Sequence, residues 1–255
     1  MQLFEPKGYD FHCHLDLYKN RDLIRRDIEA AQIVTFAMTT TPRAFEPNIA
    51  LFGKSAFVEV GLGIHPELAA TREADLALFS THLKKARVIG EIGLDGRPQN
   101  RHTLPQQTEL LKTILGLSVD GQARAFSFHS PRAVSDVLDS IEGFLVGTQH
   151  VTILHWFTGT KKELQRAADL GCYFSVNRAM CRKASFGELL RAIPNPLLLT
   201  ETDGPFVKDL DVPVRPSDVI ALYSLMGDLL GVSADEISTR VRTNSRRLLS
   251  TIEIV

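Results

Sequence analysis

Eight times along this chain, a short run of β-forming apolar residues gives way to a helical pattern. The predicted strands run over 8–14, 33–38, 57–64, 87–92, 125–128, 151–154, 172–176 and 197–200. The helical stretches between them run over 20–31, a proline-broken segment to Lys54, 73–85, 104–119, 131–141, 161–170, 186–193 and 217–230. Alternating β and α units predict a parallel sheet with helical crossovers. Eight such units in 255 residues match the size of a (β/α)8 TIM barrel, typically about 250 residues. An open doubly wound sheet is the alternative, but no glycine-rich dinucleotide fingerprint follows the first strand. Two further C-terminal helices are expected, one from Ser233 or Ala234 and the last near Asn244. No linker, repeat or low-complexity stretch divides the chain, so residues 1–255 are expected to form one domain.

Charge and cysteine content narrow the function classes. Lys plus Arg is 29 against 30 Asp plus Glu, for a net charge of −1. That excludes a uniformly basic nucleic-acid coat, though not a local basic rim. The cysteines Cys13, Cys172 and Cys181 show no CxxC spacing. An odd, low count fits a reducing compartment better than a disulfide scaffold. The N-terminal MQLFEPKGYDF has no apolar core, so no signal peptide is expected. No apolar run reaches the roughly 18 residues of a membrane span. A cytoplasmic protein without membrane contact is the expectation.

In a barrel of this kind, reacting groups come from the carboxyl ends of several strands. Those ends here carry His12 and His14, His65, Glu91 with Asp95, His129, His155, and Glu201 with Asp203. Six of the eight ends thus carry a histidine or carboxylate, and only His82, His102 and His150 fall elsewhere among the histidines. Residues two apart on a strand share a face, about 7 Å apart. His12 and His14 can therefore meet one cation, with Asp10 on the same face placed to orient a ligand histidine. Cys13 points the other way and reads as a small packed hydrophobe. Glu91, among Ile89, Ile92 and Leu94, is costly as a bare carboxylate unless it is paired or metal-bound. In a closed barrel strand eight pairs with strand one, so Glu201 and Asp203 fall beside Asp10, His12 and His14. Four histidines and two carboxylates exceed the needs of one tetrahedral ion. They suit two ions about 4 Å apart bridged by a carboxylate.

These motifs resemble the TatD family of metal-dependent deoxyribonucleases, barrels of the wider amidohydrolase-like group. The resemblance runs from DFHCHLD at 10–16 through GIHPE at 63–67, GEIGLD at 90–95, FHS at 128–130, HWFTG at 155–159 and TETDGPF at 200–206 to NSRRLL at 244–249. The forms HLDLY, TTTP, GLD before Gly96, and HWFTG are similar to a sub-branch found in the Qat anti-phage defence operon. The resemblance implies one ion on His12, His14, Glu91 and Asp203, and a second on Glu91, His129 and His155. Glu91 is then the bridge, Asp203 the general base, and His65 a contact to substrate phosphate. It implies hydrolysis of DNA phosphodiesters, commonly from a 3′ end of a single strand and with Mg²⁺. The nitrogen-rich donor set also suits Mn²⁺ or Zn²⁺. Protein partners from a defence operon are a further implication.

Two departures from the family pattern fall on the substrate face. Gly96-Arg97-Pro98 follows GEIGLD, and 175–180 reads SVNRAM in place of a glycine-rich turn. Cations in or after the βα loops, from Arg97 to Arg215, are candidates for a phosphate-contacting rim. Arg178, directly after strand seven, is the expected mouth contact, and Trp156 an expected base-stacking ring. Two other functions are compatible with the pattern. One is a metallohydrolase of an amide, lactone or aminoacyl ester, for which a modified bridging lysine on strand four is frequent. The other is a partner-dependent subunit of a defence complex.

Overall fold

A computed structural model describes residues 5–71 and 73–254. Eight parallel strands form a sheet in chain order: β1 (Gly8–Cys13), β2 (Ile33–Ala37), β3 (Val58–Leu62), β4 (Val88–Gly93), β5 (Ala125–His129), β6 (Val151–His155), β7 (Tyr173–Val176) and β8 (Leu198–Thr200). The helices are α1 (Arg21–Ala31), α2 (Phe45–Phe52), α3 (Glu73–His82), α4 (Leu104–Ser118), α5 (Val134–Phe144), α6 (Lys161–Asp169), α7 (Arg178–Cys181), α8 (Phe186–Ala192), α9 (Val219–Leu230) and α10 (Ala234–Thr251). A short hairpin, β9 (Lys208–Asp209) with β10 (Val212–Pro213), lies between β8 and α9. The strands read as continuous apolar runs because nearly every strand position is buried, as expected for a sheet covered on both faces.

The barrel is nearly closed rather than laddered all round. Among the described residues β8 pairs only with β7. The seam to β1 is made just beyond the strand ends. Asp203 N–H donates to His12 O at 2.8 Å, and His14 N–H to Gly204 O at 2.8 Å. The Thr200 hydroxyl donates to Tyr9 O at 2.6 Å, and Thr202 N–H to Asp10 Oδ1 at 2.8 Å. Strand eight is only three residues long, so side chains and the following turn replace the missing ladder.

The C-terminal region differs from expectation. The structure has one continuous helix, α10, where two were expected. Asn244 does not cap a new helix. It is buried in the middle of α10, and its Nδ2 donates to Asn195 O at 2.7 Å and Leu198 O at 2.8 Å. It ties the helix to the start of β8. Two elements were not foreseen: α7, capped by Asn177, and the β9–β10 hairpin. The helix expected from Pro131 begins only at Val134, because Arg132 takes a left-handed backbone, φ 56°.

Candidate metal centre

The carboxyl ends of the strands enclose a cavity of about 500 Å³. His14, His65, Glu91, Arg97, His129, His155, Trp156, Lys183, Asp203 and Phe206 are among its lining. His12 lies behind that lining, fully buried and stacked on His155 with ring centroids 3.7 Å apart.

Glu91 is the hub. Its Oε1 lies 2.8 Å from His129 Nδ1, 2.9 Å from His155 Nε2 and 3.5 Å from His65 Nε2. Its Oε2 lies 3.2 Å from His14 Nε2 and 3.6 Å from His12 Nε2. Each oxygen thus faces its own set of imidazoles. Asp203 Oδ1 adds to the second set, 3.7 Å from His14 Nε2 and 4.0 Å from His12 Nε2. Trp156 and Asp203 follow strand ends with φ of 41° and 49°. Such left-handed backbone in bulky or branched residues is strained and tends to gather at functional sites.

Two of the histidines have a hydrogen-bond partner on the ring nitrogen turned away from the hub. His12 Nδ1 lies 2.9 Å from the Ser127 hydroxyl, and His129 Nε2 lies 3.2 Å from Asp95 Oδ2. A partner of this kind holds the ring proton and leaves the hub-facing nitrogen free to bind a cation. His65 is wired the opposite way. Glu67 N–H donates to its Nδ1 at 3.2 Å, so in the neutral ring the proton sits on Nε2, the atom that faces Glu91. In that form His65 is a donor into the cavity and not a ligand.

Electrostatics follow from the burial. Burial raises the Glu91 carboxyl, but His65, His155, His12 and His129 outweigh it and hold Glu91 well below the usual range. Burial pushes Asp203 up to about 7, with His155 and His14 offsetting only part of it. Two carboxylates in one cavity are thereby driven apart in basicity, the pattern that separates a ligand from a proton acceptor. Burial lowers His14, His129 and His155, yet the carboxylates around them reverse the sign and leave all three raised. The centre therefore attracts positive charge.

The donor set fits divalent metal. Ligand-type atoms lie within 4.8 Å of one another in the groups His12–His14–Glu91, His12–His155–Glu201 and His65–Glu91–His129. Among the described residues, four of the ten buried side-chain polar atoms without a hydrogen bond belong to this centre: His14 Nδ1, His129 Nδ1, His155 Nδ1 and Asp203 Oδ1. Buried polar atoms are rarely left so, and Asp203 Oδ1 and His129 Nδ1 both face the hub.

Other expected site residues stand differently. Asp10 does not reach an imidazole. Its carboxylate accepts from the N–H and hydroxyl of Thr202 and from His12 N–H at 3.3 Å, so it staples the β1–β8 seam. Glu201 is spent on the Ser175 hydroxyl, Asn177 Nδ2 at 2.8 Å and Trp156 N–H at 3.1 Å. Arg178 does not line the cavity. Its guanidinium is paired with Asp209 at 2.7 Å, which also holds Arg182. The hairpin carrying Asp209 captures both cations. The cavity cations are instead Arg97, held by Asp95 and by Glu67 at 3.0 Å, and Lys183. Trp156 is half-buried and lines the cavity. Sequence reasoning missed Ser127, and it named Lys183 and Arg97 only as members of a broad rim of cations without singling them out. Lys183 stands among many cations after the strands, and the orientation of a ring behind Ser127 leaves no mark in spacing.

A barrel with a histidine–carboxylate hub at its carboxyl end defines the class of metal-dependent hydrolases. A family model described as TatD related DNase matches residues 9–250, and the chain belongs to that family, a metal-dependent hydrolase of ester bonds. It is 29% identical over 199 residues to the 3'-5' ssDNA/RNA exonuclease TatD of Pantoea vagans, covering 73% of this chain and 75% of that one. Among solved structures it resembles YJJV, a TatD homologue from Escherichia coli, with TM-score 0.78 and 22% identity over 95% of this chain and 97% of the other. A TatD-family hydrolase from Entamoeba histolytica gives TM-score 0.81 and 20% identity, over 96% and 98% of the two chains. At that identity the two structures speak to the fold.

Proposed function

We propose that this protein hydrolyses phosphodiester bonds of single-stranded DNA, working from an end, with two divalent cations held on either side of Glu91. The observation that carries this reading is the division of Glu91, one oxygen toward His12 and His14 and the other toward His129 and His155. His12, His14, Glu91 and Asp203 would hold one ion, and Glu91, His129 and His155 the other. When bound, such ions polarise the phosphoryl oxygen and make an attacking hydroxide available near neutral pH. Asp203, beside His14 and His12 at the hub, takes the proton released by the attacking water. His65 Nε2–H donates to a non-bridging phosphate oxygen. Trp156 offers a ring face to a neighbouring base.

The name of the Pantoea relative, an ssDNA/RNA exonuclease, supports a single-stranded substrate and makes RNA the first competitor to test. Nitrogen-rich ligation favours Mn²⁺ or Zn²⁺ over Mg²⁺, which prefers oxygen. A place in the Qat defence sub-branch, with partner proteins from such an operon, rests on the HLDLY, TTTP and HWFTG variants. Three free cysteines, two of them buried, support a cytoplasmic setting. The test is digestion of end-labelled single- and double-stranded DNA and RNA with each metal, beside Asp203→Asn. Cleavage of single strands that needs metal and falls in the variant is expected. Metal-independent cleavage, or none on any phosphodiester, rejects the reading. Phage plating with wild type and Asp203→Asn tests the defence role.

A further inference from the structure

A second groove of about 330 Å³ adjoins the cavity and shares Thr158 and Lys183 with it. It runs between the loop after β6 and the α7–α8 segment, the stretch where this chain departs from a glycine-rich turn. Phe157, Met180, Phe186 and Leu189 contribute apolar lining, and Ser185 and Lys183 polar groups.

The charges around this groove are mostly spent. Lys161 is paired with Glu188 at 2.7 Å. Arg178 and Arg182 are paired with Asp209, and Arg97 with Asp95 and Glu67. The amino end of α6 is closed by a capping box in which Glu163 accepts from Thr160 N–H at 2.8 Å and the Thr160 hydroxyl accepts from Glu163 N–H at 3.2 Å, so it offers no anion site. Among the described residues Lys183 has no carboxylate partner, and it stands where the groove meets the cavity. An unpaired cation at the junction of a recessed centre and an apolar-lined channel suits a phosphate chain carrying bases. A duplex does not fit this arrangement, because the hub carboxylate Glu91 is only 3% exposed and its bases are already stacked on one another.

We infer that this groove, with Lys183 at its mouth, is a subsite for the single-stranded stretch beyond the nucleotide being cut. It rests on the nuclease reading above and adds to it a preference for oligomers over dinucleotides. Lys183 holds the phosphate at the junction, and the groove takes the next sugar and base. The preference arises in α7 and α8 and not in the metal centre.

The experiment measures kcat/KM on oligothymidylates from a dinucleotide to about eight nucleotides, the range of small single-strand sites. In the wild type, kcat/KM should rise with length and then level off. In Lys183→Gln the ratio of the longest substrate to the dinucleotide should fall about three- to tenfold, mainly through KM. The salt slope of oligomer binding should shrink by about 1. Ser185→Glu, which sets a negative charge in the groove while leaving the Lys183 residue in place, should also lower the ratio. A flat length dependence in the wild type, or equal losses on short and long substrates in both variants, overturns the subsite. Fluorescence anisotropy of a labelled oligothymidylate in EDTA separates this from failure of the nuclease reading. Weaker binding by both variants supports the groove even if no phosphodiester is cut, and unchanged binding overturns it even if cleavage is robust.

Discussion

The two sides of Glu91 are built differently. The side made by β1 and β8 is deep: His12 and His14 are essentially unexposed, and Asp203 is 4% exposed. His12 is held from behind by the neutral Ser127 hydroxyl, and the seam is stapled by Asp10 and Thr202. The side made by β5 and β6 is nearly as buried, with His129 9% and His155 5% exposed, but its support differs. His129 is held by Asp95, a full carboxylate, and Asp95 by Arg97, which reaches Glu67 and the surface. Burial raises the Asp95 carboxyl, but His129, Arg97 and Asn100 reverse that and keep it ionised. One side is fixed by packing and the other by a chain of charges. On the two-ion reading, the difference teaches that an ion on the first side would be retained by the barrel itself, whereas occupancy of the second would depend on a loop.

The largest effect should come from the residue both sides share. Glu91→Gln removes the charge from both oxygens. We expect turnover to fall by roughly 10³-fold or more, with loss of metal from both sides, in single-turnover assays beside elemental analysis. Asp203→Asn should cost roughly 10²-fold in turnover while retaining more metal than Glu91→Gln, because His12, His14 and Glu91 remain. Wild-type cleavage by either variant would break the two-ion account.

Asp95→Asn and Ser127→Ala test the comparison directly. Removing the partner behind a ligand histidine typically weakens metal affinity about 10–100-fold. Asp95→Asn should reach that range for one ion of the two, because it takes a charge from His129. Ser127→Ala should cost less, since a neutral hydroxyl is lost and packing still holds His12. Metal titration followed by calorimetry gives both numbers. Equal losses, or a larger one for Ser127→Ala, would show that the sides are held alike.

Much of this centre was legible in the chain because apolar strand runs stop at the residues that matter. His12, His14, Glu91, His129, His155 and Asp203 each end or closely follow such a run, and parallel topology carries all of them to one end. Side-chain partners were not legible. Arg178 reads as a free mouth cation until the unforeseen β9–β10 hairpin brings Asp209 to it. Four residues, as in α7, show no helical period. Asn244 reads as a helix start because asparagine favours caps, and only the carbonyls of Asn195 and Leu198 explain it inside α10. Arg178→Ala is accordingly expected to change oligonucleotide affinity less than twofold or so, the scale of an exposed ion pair, as read by anisotropy.

A further effect lies outside the centre and separates its pH response from that of the barrel. Glu59 on β3 is a half-buried carboxylate, and unlike Glu91 it has no imidazoles around it. Burial raises it from 4.5 to about 7, and Arg87 offsets this only weakly. The Arg87 guanidinium is already engaged by Ile252 O at 2.8 Å and by Glu253 at 3.3 Å. A carboxyl raised in the folded state contributes stability that is present below its unfolded value and lost as pH climbs through its folded one. Glu59 should therefore destabilise the wild type progressively between about pH 4.5 and 7. Glu59→Gln removes that titration. It should leave stability nearly unchanged at about pH 4 and raise it by about 1 kcal/mol at about pH 8, a fraction of the roughly 3 kcal/mol the full shift would give, because water screens the half-buried carboxylate. For a chain of this size that is a gain of roughly 2–4 °C in Tm. Thermal melts in EDTA at the two pH values read the difference. A variant that melts below the wild type at the higher pH would mean that Glu59 is held by a favourable partner there, and that a buried glutamate in this barrel is stabilised without histidines around it.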